Sequence, residues 1–119
     1  MADLTLAQVA AKLPAGALVA DAPNNDVKLS LKALMNEASV TLTDPKVGEF
    51  LAKLIDGATL AQIDYNADEG NTLKIRSYPT PTLGTPLRDE TSGVFFVNFT
   101  YNVQVAAPLD RDQFEAIQI

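Results

Sequence analysis

The stretch from Asp64 to Gly70 places oxygen-bearing side chains at alternate positions, which is the spacing of a calcium-binding loop. Asp64, Asn66 and Asp68 would supply ligands at the first, third and fifth positions of such a loop. The glycine comes one place late, and the twelfth position, which needs a bidentate carboxylate, holds Ile75. The same residue types are typical of a hairpin turn. We therefore predict a turn here, with Asp64, Asn66 and Asp68 as the alternative metal-binding set.

Polar and apolar side chains alternate from Leu73 to Tyr78, and again after Val97. Because successive side chains of a strand point to opposite faces, this alternation would place the polar residues of paired strands on one face. Such a face is either a solvated sheet surface or a mixed polar patch that could hold an anion or a sugar. The residues of this candidate ligand-binding patch are Lys74, Arg76, Tyr78, Asn98 and Asn102.

The chain contains neither cysteine nor histidine. These absences exclude thiol nucleophiles, disulfides, thiolate zinc sites, imidazole bases and Ser-His-Asp triads. Paired acids occur at Asp68–Glu69, Asp89–Glu90 and Asp110–Asp112, all in predicted turns or caps. A catalytic carboxylate needs a pKa raised by burial or forced proximity, whereas turn acids are normally solvated. We therefore predict no catalytic residue and no cofactor, and an enzyme is the less favoured class.

The net charge of −6 argues against nucleic acid and anionic membranes as partners, because both attract basic surfaces. Residues Met1–Leu4 lack the basic and apolar regions of a signal peptide, and no apolar run approaches the length of a membrane span. The length of 119 residues suits one domain with its own core. The sequence therefore predicts a single cytoplasmic domain over residues 1–119.

The longest regular pattern is the alternation from Phe95 to Val105, which predicts one long strand. Alternation also predicts a hairpin of two strands before it, Thr59–Asn66 and Thr72–Tyr78. Together these segments would form a three-stranded antiparallel meander. One face of the long strand would carry Asn98, Thr100, Asn102 and Gln104 toward solvent. The opposite face would enter the core through Phe95, Val97, Phe99, Tyr101, Val103 and Val105.

Helix signals dominate the N-terminal part. Thr5 and Gln8 form a capping box, which predicts a helix from Leu6 to Leu13 that ends before Pro14. The apolar segment Ala17–Ala20 predicts a minor strand.

Two further helices are predicted in the middle of the chain. Apolar residues at helical spacing favour a second helix from Asp26 to Ala38. The competing interpretation is a strand from Val27 to Leu31 followed by a shorter helix capped by Ser30. The pair Asp44–Pro45 predicts the start of a third helix, and Gly57 is placed to end it.

The connection from Pro79 to Gly93 is unusually long for a hairpin and contains three prolines. Loops of this length are most often functional or disordered, and proline restricts them to extended conformations. We therefore expect a protruding arm. Beyond the long strand, Asp110 predicts the cap of a short terminal helix that docks Phe114 and Ile117.

Helices grouped before strands favour an α+β fold. We expect about three N-terminal helices packed on one face of a three- to four-stranded antiparallel sheet, with a long proline-rich hairpin loop. The favoured function is a non-catalytic protein-interaction or assembly module that binds a protein partner or itself. The alternative is a small polar-ligand-binding protein or a carboxylate-dependent enzyme that uses the polar sheet face.

Overall fold

The computed structural model describes residues 3–105, so the terminal helix expected from Asp110 lies outside the described residues. Within this range the chain is α+β, with three α-helices and small antiparallel sheets. The helices are α1 (Leu6–Ala10), α2 (Leu31–Leu34) and α3 (Val47–Ala67), with a 3-10 turn at Ala22–Asn24. The strands are β1 (Leu18–Asp21), β2 (Asp26–Leu29), β3 (Thr82–Leu83), β4 (Leu87–Arg88), β5 (Phe95–Phe96) and β6 (Phe99–Thr100). None of the helices in residues 3–105 is long and apolar enough to cross a membrane.

The predicted capping box starts α1. The Thr5 hydroxyl accepts the Gln8 N–H at 3.1 Å, and the Gln8 side chain accepts the Thr5 N–H at 2.8 Å. Two of the orphan N–H groups at the helix start are thereby paired.

The segment after α1 is a hairpin followed by a short helix, so the prediction of a single helix from Asp26 to Ala38 is wrong. β1 and β2 pair antiparallel from Leu18 opposite Leu29 to Asp21 opposite Asp26. The Ser30 hydroxyl then accepts the Ala33 N–H at 3.2 Å and caps α2. The competing interpretation is therefore right about a strand followed by a helix capped by Ser30, but the strand ends at Leu29 and Leu31 begins α2.

Helix α3 continues ten residues past Gly57. The prediction that Gly57 ends this helix is wrong, and so is the predicted strand Thr59–Asn66. Gly57 is buried where α1 and α3 meet, and a Cβ there would come within 3.2 Å of Leu13 Cγ. The glycine is required by close packing and not by a left-handed turn. Ala58 and Ala61 are also buried, which gives this part of the chain a helical period.

The hydrophobic core is small and lies between α3 and the N-terminal elements. Its buried centre is Leu13, Ala17 and Leu34. Half-buried apolar side chains surround it: Val9, Leu18, Leu31, Ala33, Phe50 and Leu54.

The segment after α3 returns along the helix without forming a strand, so the predicted strand Thr72–Tyr78 is also wrong. Two helix side chains bind its backbone. Asn66 pairs with the N–H and C=O of Ile75, and Gln62 pairs with those of Tyr78. The side-chain amides take the place of a neighbouring strand, and the predicted three-stranded meander does not form.

The rest of the described chain is one long hairpin, residues 77–104, which we call the arm. Its first limb contains β3 and β4, and its second limb contains β5 and β6. Leu83 lies opposite Phe99, and Leu87 lies opposite Phe96. The first limb therefore has one more residue than the second between the two pairs, which is a β-bulge at residues 84–86. The proline-rich stretch 79–93 is thus largely a paired limb and the arm tip.

The apolar face that alternation assigns to the core is not in the core of this chain. Phe95 is 70% exposed and Phe99 is 52% exposed, while Val97 and Tyr101 are half-buried. The periodicity correctly indicates which side chains share a face. It does not indicate that the described part of this chain covers them.

Candidate functional site

The candidate ligand residues serve separate structural roles. Lys74 Nζ donates to the backbone oxygens of Asn66 at 2.7 Å and Asp68 at 3.3 Å. These oxygens lie at the C-terminal end of α3, where a cation is favoured by the unpaired carbonyls. Lys74 therefore caps the C-terminal end of α3 by binding these backbone oxygens.

Tyr78 belongs to a different contact. Its hydroxyl donates to Asp3 Oδ1 at 2.8 Å, and its N–H donates to Gln62 Oε1 at 2.9 Å. Burial, and then the hydrogen bond and charge of Asp3, raise the pKa of the Tyr78 hydroxyl. This tyrosine therefore links Asp3, near the start of the described chain, to the segment that follows α3.

The other three candidates, Arg76, Asn98 and Asn102, are exposed. Asn98 participates in the arm through its backbone oxygen, which accepts the Gly84 N–H at 2.8 Å. Lys74 and Tyr78 are therefore bound to other groups of the fold, and the paired strands that would place the five residues on one sheet face are not formed.

The three candidate metal ligands also have structural partners. Asp64 pairs with Lys12 Nζ at 2.5 Å, Asn66 binds Ile75, and Asp68 Oδ1 accepts the Gly70 N–H at 2.9 Å. They lie at the end of a helix, where residues two apart point in different directions. Within residues 3–105, no three acidic side chains are grouped so that they could hold a metal ion.

A polar cleft of about 310 Å³ lies between α1 and α3. Its floor carries the Lys12–Asp64 ion pair, whose side chains are 34% and 62% exposed. An ion pair this exposed is worth little, because solvent screens it. No sequence pattern indicates this cleft, since its two walls are about fifty residues apart along the chain.

Large apolar side chains are exposed along both limbs of the arm. Their exposed fractions run from 43% at Val103 to 70% at Phe95. These residues are Leu83, Leu87, Val94, Phe95, Phe96, Phe99 and Val103.

Both faces of the arm are open. Phe95 and Phe96 are neighbours in a strand and so point to opposite faces, yet they are 70% and 47% exposed. A two-stranded hairpin is at best marginally stable in water and needs a third strand or a packed layer. The described residues supply neither along most of the arm.

The foot of the arm lies against α3. A groove of about 500 Å³ there is lined by Leu60 and Ile63 of the helix and by Pro81 of the first limb. Burial, and then the charge of Asp56 on α3, raise the pKa of the Tyr101 hydroxyl. The arm therefore contacts α3 at its foot, while toward its tip Phe95 and Phe96 are exposed.

Comparisons of this chain with protein-family models, with curated proteins and with solved structures found no match.

Proposed function

We propose that this protein is a non-catalytic assembly module of the cytoplasm whose arm packs against another protein chain. The observation that carries the proposal is the exposure of Phe95, Phe96 and Phe99 on a hairpin that the other residues of the described range 3–105 leave uncovered on both faces. Large apolar side chains exposed together on one element mark interaction sites on soluble proteins.

The energetics support a partner for the arm. Full burial of a phenylalanine contributes roughly 1.5–3 kcal/mol relative to exposure, and aromatic residues are enriched at the centres of interfaces. A partner surface would therefore stabilise the arm as well as bind it. The net charge of −6 favours a protein partner over nucleic acid or an anionic membrane.

The polar residues support a structural role. Lys74 and Tyr78 are engaged with backbone and carboxylate groups of the fold, and histidine and cysteine do not occur in the chain. A ligand-binding or catalytic role would require these groups to converge on one pocket.

Site-specific photo-crosslinking tests this proposal. A photoreactive phenylalanine analogue is placed at Phe95 and, as a matched control, at Leu73; both residues are 70% exposed, but only Phe95 is on the arm. In cells that naturally make the protein, we expect a discrete protein adduct from position 95 and none from position 73. Equal or absent adducts at the two positions would overturn the proposal.

A further inference from the structure

The second limb of the arm has a free edge whose direction the hydrogen bonds define. Its bonds to the first limb use Val94, Asn98 and Gln104: Asp89 N–H to Val94 O at 2.9 Å, Gly84 N–H to Asn98 O at 2.8 Å, and Gln104 N–H to Ser77 O at 3.0 Å. All three are even-numbered. In antiparallel strands the backbone groups of alternate residues point to opposite edges. The odd-numbered residues from 95 to 105 therefore direct N–H and C=O groups to the outer edge.

Nothing in residues 3–105 pairs with that outer edge, because each sheet there has two strands. The two edges of the arm also differ in chemistry. The first limb carries Pro79, Pro81 and Pro86, which cannot donate and so protect an edge from further pairing. The second limb has no proline and no charged residue from Val94 to Val105. The outer edge of the second limb is therefore the one on which every backbone N–H and C=O group can pair with a further strand.

The second limb is nearly palindromic. Val97-Asn98-Phe99-Thr100-Tyr101-Asn102-Val103 reads the same in both directions, except that an aromatic Phe stands opposite an aromatic Tyr. When a strand pairs antiparallel with its own copy about a two-fold axis, each residue lies opposite a residue of the other copy, and the two residue numbers of every such pair have the same sum. With Thr100 on the axis, Val97 meets Val103, Asn98 meets Asn102, and Phe99 meets Tyr101.

This register also agrees with the direction of the backbone groups. Odd residues meet odd residues, so the outward N–H and C=O groups of the two copies face one another and can form hydrogen-bonded pairs. Directly opposite side chains share a sheet face, so apolar residues meet apolar ones and amides meet amides. A shift by one residue would lose both matches.

We propose that two copies of this chain join edge to edge through their second limbs, in an antiparallel register centred on Thr100. The inference rests on the proposed assembly function and names its partner as a second copy. The product is a four-stranded sheet, which gives the hairpin the additional strands that it lacks. The proline-bearing first limbs become the outer edges, so the assembly closes as a dimer.

Single cysteines test the register, because the chain has no other thiol. Thr100 of the two copies would form a non-hydrogen-bonded pair with Cα atoms about 4.5 Å apart, within the roughly 4.4–6.8 Å that a disulfide spans. Under mild oxidation we expect Thr100→Cys to give a covalent dimer. Asn98→Cys alone should not, since its two copies would be about 13 Å apart. A mixture of Asn98→Cys and Asn102→Cys should crosslink.

Charge variants at the axis give a second readout without oxidation. Thr100 is exposed, so a charged side chain there leaves the single chain intact. Thr100→Glu and Thr100→Lys should each weaken self-association at least about tenfold, because like charges meet on the axis. Mixing the two variants should restore the dimer. Thr91→Glu, at the exposed arm tip, is the matched control and should leave association unchanged.

The outcomes separate this inference from the proposed function. Crosslinking of Thr100→Cys with Asn102→Cys, but not with itself, would overturn the register in favour of one centred on Tyr101. A single-chain mass for the unmodified protein, with an adduct from Phe95 to a different protein, would overturn the dimer and leave the assembly function standing. The absence of any adduct would overturn both.

Discussion

The side chain of Asn66 binds both polar groups of the Ile75 backbone. Its Nδ2 donates to the Ile75 oxygen at 2.8 Å, and its Oδ1 accepts the Ile75 N–H at 2.9 Å. Gln62, one helical turn earlier, binds Tyr78 in the same way at 3.2 and 2.9 Å. This pair of amides fixes the returning segment on α3 and so positions the foot of the arm.

Removing the Asn66 amide should destabilise the fold. Ile75 is only 3% exposed, so its backbone groups would lose their partners at a site with little access to water. We expect Asn66→Ala to lower the free energy of unfolding by about 1–3 kcal/mol, measured by urea denaturation. Asn66→Asp should not rescue this loss, because it keeps the acceptor but sets a carboxylate oxygen against the Ile75 oxygen at the C-terminal end of α3. An effect of Asn66→Ala below about 0.5 kcal/mol would contradict this role.

Two glycines of α3 should respond oppositely to alanine. Gly48 has open space around it, so Gly48→Ala should stabilise the helix by up to about 1 kcal/mol. A Cβ at Gly57 would collide with Leu13, so Gly57→Ala should instead cost about 1–2 kcal/mol despite its better helix propensity. Thermal unfolding of both variants checks the contrast. The cost at Gly57 should shrink in a Leu13→Ala background, since the two sites are in contact.

The structural role of Gly57 cannot be predicted from the sequence. A glycine that ends a helix and a glycine that admits a packed side chain look alike in sequence, and the contact that distinguishes them, with Leu13, is distant along the chain. The capping box of α1, by contrast, depends on two residues that are three apart, so it can be predicted from the sequence alone. The sequence does not decide between a helix and a hairpin after α1. Val27 and Leu31 are spaced as on one face of a helix, and Val27, Leu29 and Leu31 alternate as in a strand.

For the arm, too, the sequence pattern does not show which other part of a structure contacts the apolar side chains. Alternation from Phe95 to Val105 reveals which side chains share a face, but a strand buried by its own chain and one covered by another chain have the same pattern. The five candidate ligand residues show the same dependence on contacts that are distant along the chain. Their grouping assumed that Thr72–Tyr78 pairs with the long strand, whereas helix amides bind that segment.

Calcium should not stabilise the protein. Asp64 pairs with Lys12, and Asn66 is committed to Ile75, so the oxygens of the predicted turn do not converge. A ligand that binds only the folded state would raise the melting temperature by mass action. We expect millimolar calcium to leave the melting temperature of the protein unchanged. A reproducible rise that is lost in Asp64→Ala would show that these residues bind the ion.

Truncating Phe99 should affect association more than folding. Phe99 is 52% exposed in the single chain, so Phe99→Ala should change the free energy of unfolding of dilute protein by about 1 kcal/mol or less. It should weaken self-association, because Phe99 would meet Tyr101 of a second copy. Leu73→Ala, which removes an exposed apolar residue away from the arm, should change neither. A loss of 3 kcal/mol or more in the dilute single chain, on the order of a buried-core truncation, would mean that Phe99 is buried within its own chain.

The most direct test of assembly through a second copy is the molar mass in solution, measured by light scattering across a dilution series. The parent chain has a mass of 12.7 kDa, and we expect twice that mass at high concentration with dissociation on dilution. Replacing residues 82–100 by a short glycine-containing link should give the single-chain mass at every concentration and leave the melting temperature of the helical part nearly unchanged. A parent that stays at 12.7 kDa throughout the series, or a shortened chain that still forms the dimer, would contradict the account.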